Sequence, residues 1–170
     1  MITIYATMMA DEKMLINDKI INKIIDNIYF ENKIIVMDEE YYFKYAGEFD
    51  NTRIIVISNN KLSQELDVEC YENIYKIANS KYFKEKELYI IGSNKLIKEA
   101  IPLATKMEFN IVDMYLKDDD KVSNPFPKYD NQNWQYKSAD IINPRITRIV
   151  LERINPYNFK PNNPKKRVKK

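Results

Sequence analysis

The chain has 170 residues, 45% of them hydrophobic, and a formal net charge of +2, which suits one globular domain with its own core and excludes a disordered chain. No apolar run approaches the roughly 18 residues that span a bilayer, and the first residues lack the marks of a signal peptide, so we expect a cytoplasmic protein without a membrane segment. The absence of histidine and the single cysteine, Cys70, exclude the usual zinc sites, an internal disulfide, and catalysis through a serine–histidine or cysteine–histidine pair.

The first quarter of the chain predicts a strand, a helix, a strand and a short helix. Ile2–Met9 is apolar enough for a buried strand. Isoleucines over residues 18–30 recur with helical periodicity. Residues 33–37 form a short apolar run typical of a central parallel strand. Residues 39–47 predict a short helix that ends at Gly47, a natural residue for a helix end.

The middle of the chain continues the alternation. Residues 53–58 predict another buried strand, and residues 67–70 and 71–80 predict a short strand and a helix. An apolar run then reaches Gly92 and passes directly into the helical pattern of residues 93–101. A glycine at such a junction permits either a turn with positive φ or the close approach of a ligand.

The last third of the chain turns to strands. Residues 107–116 predict a long strand, residues 117–130 an acidic and proline-punctuated loop, and residues 133–139 and 146–154 a final antiparallel pair. Alternating strands and helices followed by such a pair indicate an α/β fold, with a mostly parallel central sheet, flanking helices and a C-terminal antiparallel hairpin.

The chain ends in a basic tail. Residues 159–170 carry six basic side chains and no acidic one. Such a tail can contact nucleic acid, an anionic surface or an acidic protein partner, or it can remain a solvated end. We predict one domain over residues 1–154 and a disordered tail over residues 155–170.

The order of these motifs resembles the dihydrofolate reductase family from residue 1 to about residue 154. Four stretches carry the resemblance: MITIYATMMADEKML at the start, IIGSNKLIKEAIPLATKMEFNIVD around Gly92, NPFPKYDNQNW before the hairpin, and ITRIVLERI at the end. The resemblance implies that NADPH, with NADH as a possible substitute, delivers a hydride to the pterin of dihydrofolate. It also implies that a buried carboxylate orients the pterin and favours its protonation.

The resemblance assigns site residues by position. The orienting acid is Asp26, which stands four residues before Phe30 and so shares its helical face. The expected substrate contacts are Tyr5, Ala6, Phe30, Arg53, Ile91 and Asn110. The expected cofactor contacts are Thr7, Ser58, Gly92, Ser93, Asn94, Lys95 and Leu96. No metal is implied. A different loop length places Asn22 at the acid position instead, and Asp26 can also be a solvated residue on the polar side of its helix.

The sequence departs from the family where a phosphate should bind. Asp38, Glu39, Glu40 and Tyr41 stand in place of the family's Gly-Arg-x-Thr, so carboxylates replace the arginine. The Pro-Trp of the substrate loop is absent as well. Three functions remain open: a divergent dihydrofolate reductase, a protein of the same fold that binds without catalysis, and a related pterin-type reductase of riboflavin synthesis.

Overall fold

The structure is a computed structural model that describes residues 1–10, 13–15, 27–49, 51–59, 68–113 and 122–155. Its strands are β1 (Ile2–Met9), β2 (Lys13–Leu15), β3 (Ile34–Asp38), β4 (Arg53–Ile57), β5 (Glu69–Tyr71), β6 (Leu88–Ile90), β7 (Lys106–Val112), β8 (Val122–Pro125), β9 (Trp134–Asn143) and β10 (Ile146–Arg153). Its helices are α1 (Asn27–Phe30), α2 (Glu39–Tyr45), α3 (Ile74–Ala78) and α4 (Asn94–Ala100). None of the helices in these ranges has the length and hydrophobicity that crossing a membrane requires.

Within the described ranges, ten strands form one sheet, and eight of them lie in the order β5-β4-β3-β6-β1-β7-β10-β9. The pairs from β5 to β7 are parallel, whereas β10 runs antiparallel to both β7 and β9. The predicted α/β sheet with a C-terminal antiparallel hairpin is therefore confirmed. Of the helix predicted over residues 18–30, residues 27–30 are helical and the earlier part lies outside the described residues.

Two short strands fall where the sequence predicts loops. β2 pairs with β1 through Met14 and Met8, and β8 pairs with β2 through Pro125 and Lys13. Strands of three or four residues contain too few positions for a period of two to be recognised. Their pairing joins the segment after β1 to the segment before β9.

The sheet separates two apolar cores because successive side chains of a strand point to opposite faces. On one face, Ile4 and Ala6 of β1 pack with Met107 and Phe109 of β7. On the other face, Tyr5 belongs to an aromatic core with α1 and α2. Full burial of one large apolar side chain contributes about 1.5–3 kcal/mol, so both faces stabilise the sheet.

Helix α2 begins after its cap residue, Asp38, and ends close to Gly47. Asp38 has an extended backbone, and its Oδ1 accepts a hydrogen bond from the Tyr41 amide at 3.1 Å. After Tyr45 the chain enters a 3-10 turn, Ala46–Glu48, which contains Gly47. Gly47 directly follows the cap residue Ala46, as the sequence predicts, although its φ is not positive.

Candidate functional site

The carboxyl ends of three neighbouring parallel strands meet at one edge of the sheet. β3 ends at Asp38, β4 leads into Ser58, and β6 leads through Ile91 into Gly92 and Ser93. Ligands of open α/β sheets bind outside the carboxyl ends of the strands. This edge, which we call the carboxyl edge, is therefore the candidate ligand site.

A cavity of about 240 Å³ opens at the carboxyl edge, and its lining is strongly acidic. The charged residues that line it are Asp38, Glu39, Glu40, Glu72, Glu99 and Lys95. Glu40 pairs with Lys44 at 3.2 Å and Glu72 pairs with Lys76 at 2.6 Å, both at the exposed rim. The resemblance implies a phosphate here, and the cavity presents the carboxylates that the sequence has in place of the family's arginine.

Asp38 bridges two elements of the carboxyl edge. Its Oδ2 accepts a hydrogen bond from the Ser93 amide at 2.8 Å, while its Oδ1 caps α2. Hydrogen bonds to an ionised acceptor are roughly twice as strong as neutral ones. The carboxylate therefore fixes the turn between β6 and α4 to the start of α2.

Gly92 leaves room for two neighbouring side chains. Of the two roles that the sequence allows for this glycine, the turn with positive φ is not adopted. A Cβ at this position would lie 2.7 Å from Leu96 Cδ2 and 3.2 Å from Asp38 Oδ2. The close approach that the glycine permits is made by the protein's own carboxylate.

Ser58 contacts the acidic segment as well. Its hydroxyl donates a hydrogen bond to Glu39 Oε2 at 3.2 Å, and the residue is buried. The resemblance implies that Ser58 contacts the cofactor. In the structure its hydroxyl contacts a carboxylate of the acidic segment.

Helix α4 is held at both ends. Ser93 caps its start by accepting a long hydrogen bond, 3.5 Å, from the Leu96 amide, and the Asn94 side chain donates to the Pro125 carbonyl at 2.9 Å. At the other end, the Arg153 guanidinium donates to the carbonyls of Ala104 and Ile101 at 2.7 and 2.6 Å. Burial lowers the pKa of Arg153. Lys95 is exposed.

Four predicted substrate contacts are buried on the face of the sheet that bears α1. Tyr5 and Phe30 meet edge to face with ring centres 4.9 Å apart, and Ile91 belongs to the same aromatic core. The buried Asn110 accepts a hydrogen bond on Oδ1 from Arg148 Nε at 3.1 Å. Thr7 pairs with Asn110 across β1 and β7, whereas Ala6 packs into the core of the opposite face.

Sequence reasoning missed a buried polar network beside these residues, built around Glu108. Only 1% of Glu108 is exposed; its Oε1 lies 2.7 Å from Lys106 Nζ, and its Oε2 accepts a short hydrogen bond from the Tyr29 hydroxyl. Burial, and then the bond to Glu108, raises the pKa of Tyr29. The Arg148 guanidinium lies 4.4 Å from the centre of the Tyr29 ring and bonds the Tyr5 hydroxyl at 3.3 Å.

A signal for this network exists in the sequence. Glu108 and Asn110 interrupt the apolar strand at alternate positions, so both point to one face. Two polar residues on a buried face need partners. Those partners, Tyr29 and Arg148, are distant in sequence and become visible only in the fold.

Arg53 lies apart from the other predicted site residues. It is the first residue of β4, at the opposite end of that strand from Ser58. Its Nη2 lies 2.5 Å from Glu69 Oε2, and its Nη1 donates to the Tyr82 hydroxyl at 2.7 Å. Asp26 and the alternative Asn22 both lie outside the described residues.

A family model described as dihydrofolate reductase matches residues 26–145, so the chain belongs to the dihydrofolate reductase family. Among solved structures, a dihydrofolate reductase from Enterococcus faecalis, complexed with NADP(H) and RAB-propyl, is similar to this chain with a TM-score of 0.69. The two share 13% sequence identity, and the match covers 90% of this chain and 96% of that one. No curated protein matches the chain. The fold predicted from the sequence is confirmed.

Proposed function

We propose that this protein is a cytoplasmic reductase of one-carbon metabolism that converts dihydrofolate to tetrahydrofolate. The observation that carries the proposal is the buried group of Tyr5, Phe30, Ile91 and Asn110, which lies against α1 in a chain of this family. An aromatic and aliphatic wall with one fixed amide suits a flat heterocycle that is apolar on its faces and polar at its edge. A bound dihydronicotinamide would supply the hydride.

The chain's own part in this reaction is to bind the pterin and control a proton. Asp26 directly precedes α1, which carries the buried Phe30. A carboxylate beside apolar side chains has a raised pKa, and a cationic pterin would stabilise its ionised form. We therefore assign Asp26 the role of orienting the pterin and favouring its protonation.

The residues at the carboxyl edge suit the part that NADH and NADPH share better than they suit the 2′-phosphate of NADPH. Ser93 caps α4, and Asn94, Lys95 and Leu96 form its first turn, where the common part of NADH or NADPH would lie; Thr7, on β1, is proposed as a further contact. Glu39, which accepts the Ser58 hydroxyl, does not fit a 2′-phosphate. A carboxylate there suits the hydroxyls of an unmodified ribose. The proposed cofactor is therefore NADH in preference to NADPH.

The test of the function is direct. The purified full-length chain is mixed with dihydrofolate and either NADH or NADPH, and the loss of reduced-nicotinamide absorbance is followed. We expect turnover that depends on dihydrofolate and is faster with NADH. Binding of dihydrofolate without turnover, by calorimetry with either cofactor present, would contradict the reductase proposal.

A second function is favoured by one observation. Because Asp38 already engages the Ser93 amide, a dinucleotide has to compete with the protein for that donor. A protein of this fold that binds a ligand or a partner without catalysis, as a subunit of a larger assembly, would retain such a bond. This second function is distinguished from the reductase by the melting temperature, which should not shift at millimolar concentrations of either cofactor.

The replacement Glu39→Arg is expected to raise the ratio of NADPH to NADH affinity at least about tenfold. Two unit charges about 4 Å apart interact by about 4 kcal/mol at an effective dielectric near 20. Reversing the charge beside Ser58 therefore turns a repulsion between residue 39 and the 2′-phosphate of NADPH into an attraction. Calorimetry with both cofactors measures the ratio.

Glu40→Arg is the matched control for this experiment. Glu40 is the next residue, is exposed and pairs with Lys44, so the same change in charge should leave the ratio nearly unaltered. An unchanged ratio in Glu39→Arg would show that residue 39 does not face the cofactor.

Residues 155–170 are proposed to be separate from the domain and to contact nucleic acid or an acidic protein. β10 ends at Arg153, and the Ile154 amide still donates to the Asn133 carbonyl at 2.9 Å. A chain ending at Ile154 should therefore keep its melting temperature and any reductase activity. A chain ending at Leu151 is the control, because it lacks Arg153 and should melt at a lower temperature.

Binding of RNA tests the tail's electrostatic role. The affinity of the full chain should fall steeply with salt, with a log–log slope of several units for about six neutralised phosphates. The chain ending at Ile154 should lose this binding. Equal binding by both chains, or binding insensitive to salt, would contradict the electrostatic proposal.

A further inference from the structure

An anion that belongs to the protein already occupies the turn at Gly92 and Ser93. Both oxygens of Asp38 are used, one by the Ser93 amide at 2.8 Å and the other by the Tyr41 amide at 3.1 Å. The carboxylate lies so close to Gly92 that a Cβ there would be 3.2 Å from Oδ2. The turn and the carboxylate are thus fitted to each other.

We propose that Asp38 is a specificity-determining residue that partly excludes ligand phosphate from this turn and so weakens its binding, an inference that rests on the proposed function of the carboxyl edge. A phosphate can take the Ser93 amide only if the carboxylate leaves it. The displaced carboxylate would then remain beside a second anion, because its other oxygen is tied to the first turn of α2.

The neighbouring side chains strengthen the exclusion. Glu39 holds the Ser58 hydroxyl at 3.2 Å, which is the second donor that a phosphate could have used. Glu99 lines the same cavity, in which Lys95 is the cation among the described lining residues, whereas Glu72, like Glu40, is paired with a lysine at the rim. The phosphate groups of a nucleotide therefore weaken its binding here, while its base and sugars contribute the affinity.

The experiment replaces the carboxylate while keeping the helix cap. Serine is a good N-cap, so Asp38→Ser should preserve the first turn of α2 and release the Ser93 amide. Calorimetry is carried out with inorganic pyrophosphate, NADH and NADPH as the probes. We expect each to bind at least about tenfold more tightly to Asp38→Ser than to the natural chain, since a hydrogen bond to a charged group is worth a factor of that order.

Two further variants keep the test decisive. Asp38→Asn retains the volume of the side chain and removes its charge, so it carries the test if the serine variant does not fold. Glu40→Gln removes a charge from the same acidic segment, but Glu40 pairs with Lys44 at the rim, and less than about a twofold change is expected. Circular dichroism and melting temperature verify the fold of each.

The outcomes separate this inference from the proposed reductase activity. Tighter binding of pyrophosphate to the Asp38 variants alone supports the exclusion, whether or not the natural chain turns over dihydrofolate. Absence of any gain in both Asp38 variants overturns it, even if turnover is observed. An equal gain in Glu40→Gln also overturns it, because the effect would then come from the net charge of the segment.

Discussion

Replacing Asp26 with asparagine is expected to lower turnover of dihydrofolate at least about a hundredfold near neutral pH, while the chain still folds. A positioned acid or base contributes about 10²- to 10⁴-fold to such a reaction, and asparagine retains the shape of the side chain without its charge. Steady-state rates with NADH, together with dihydrofolate affinity by calorimetry, measure the effect on chemistry and on binding separately.

Asn22→Ala is the control for this prediction. Asn22 occupies the acid position in the alternative alignment, so its replacement should leave turnover nearly unchanged if Asp26 is the orienting acid. Unchanged turnover in Asp26→Asn would remove Asp26 from the site. A large loss in Asn22→Ala with no loss in Asp26→Asn would favour the alternative alignment.

The second large effect is expected for stability. Glu108→Ala should lower the free energy of unfolding by about 3–5 kcal/mol, as removal of one partner from a buried pair does. The carboxylate is 1% exposed, and its loss leaves the Lys106 ammonium and the Tyr29 hydroxyl without their acceptor. Urea denaturation measures the change, and the melting temperature should fall by about 10 °C or more.

Glu152→Ala is the matched control on the neighbouring strand. Glu152 pairs with Lys137 at 3.5 Å at the surface, where an ion pair contributes about 0–1 kcal/mol. Glu108→Gln should fall between the two because it keeps the volume and loses the charge. Equal losses for Glu108→Ala and Glu152→Ala would show that the buried network does not stabilise the sheet.

The central strands could be predicted because their burial leaves a clear record in the sequence. Residues 33–37 and 53–58 are short apolar runs that correspond to β3 and β4, which lie inside the parallel part of the sheet. A strand buried on both faces needs apolar residues throughout. β2 and β8 leave no such record, because their pairing depends on where the ends of other elements lie.

The candidate site was less predictable than the fold. The sequence indicates a special turn at Gly92, but it cannot reveal that Asp38, 54 residues earlier, lies against this glycine. The resemblance assigns Arg53 to the substrate by its position alone. Its pairing with Glu69 depends on the register of β4 and β5, which the sequence does not fix.

The polar network on the α1 face cannot be recognised from the types of its residues alone. Tyr5, Tyr29 and Arg148 are ordinary residues in isolation, and the burial that raises the pKa of Tyr5 is a property of the assembled sheet. Arg148 of β10 contacts Tyr5 of β1 and Tyr29 of α1, and these three elements are far apart along the chain. Local patterns therefore predict elements, whereas the chemistry of a site depends on contacts between them.

The place of β10 in the sheet has a consequence for synthesis of the chain. Among the described strands β10 is made last, yet it lies between β7 and β9 and supplies Arg153 to the carbonyls that follow α4. Until the ribosome has released residues 146–153, the edge of β7 has no neighbour on that side, and an unpaired strand edge invites association with other chains. An arrest or truncation before or within residues 146–153 would therefore leave β7 unpaired on that side and yield an aggregation-prone product rather than a smaller stable domain.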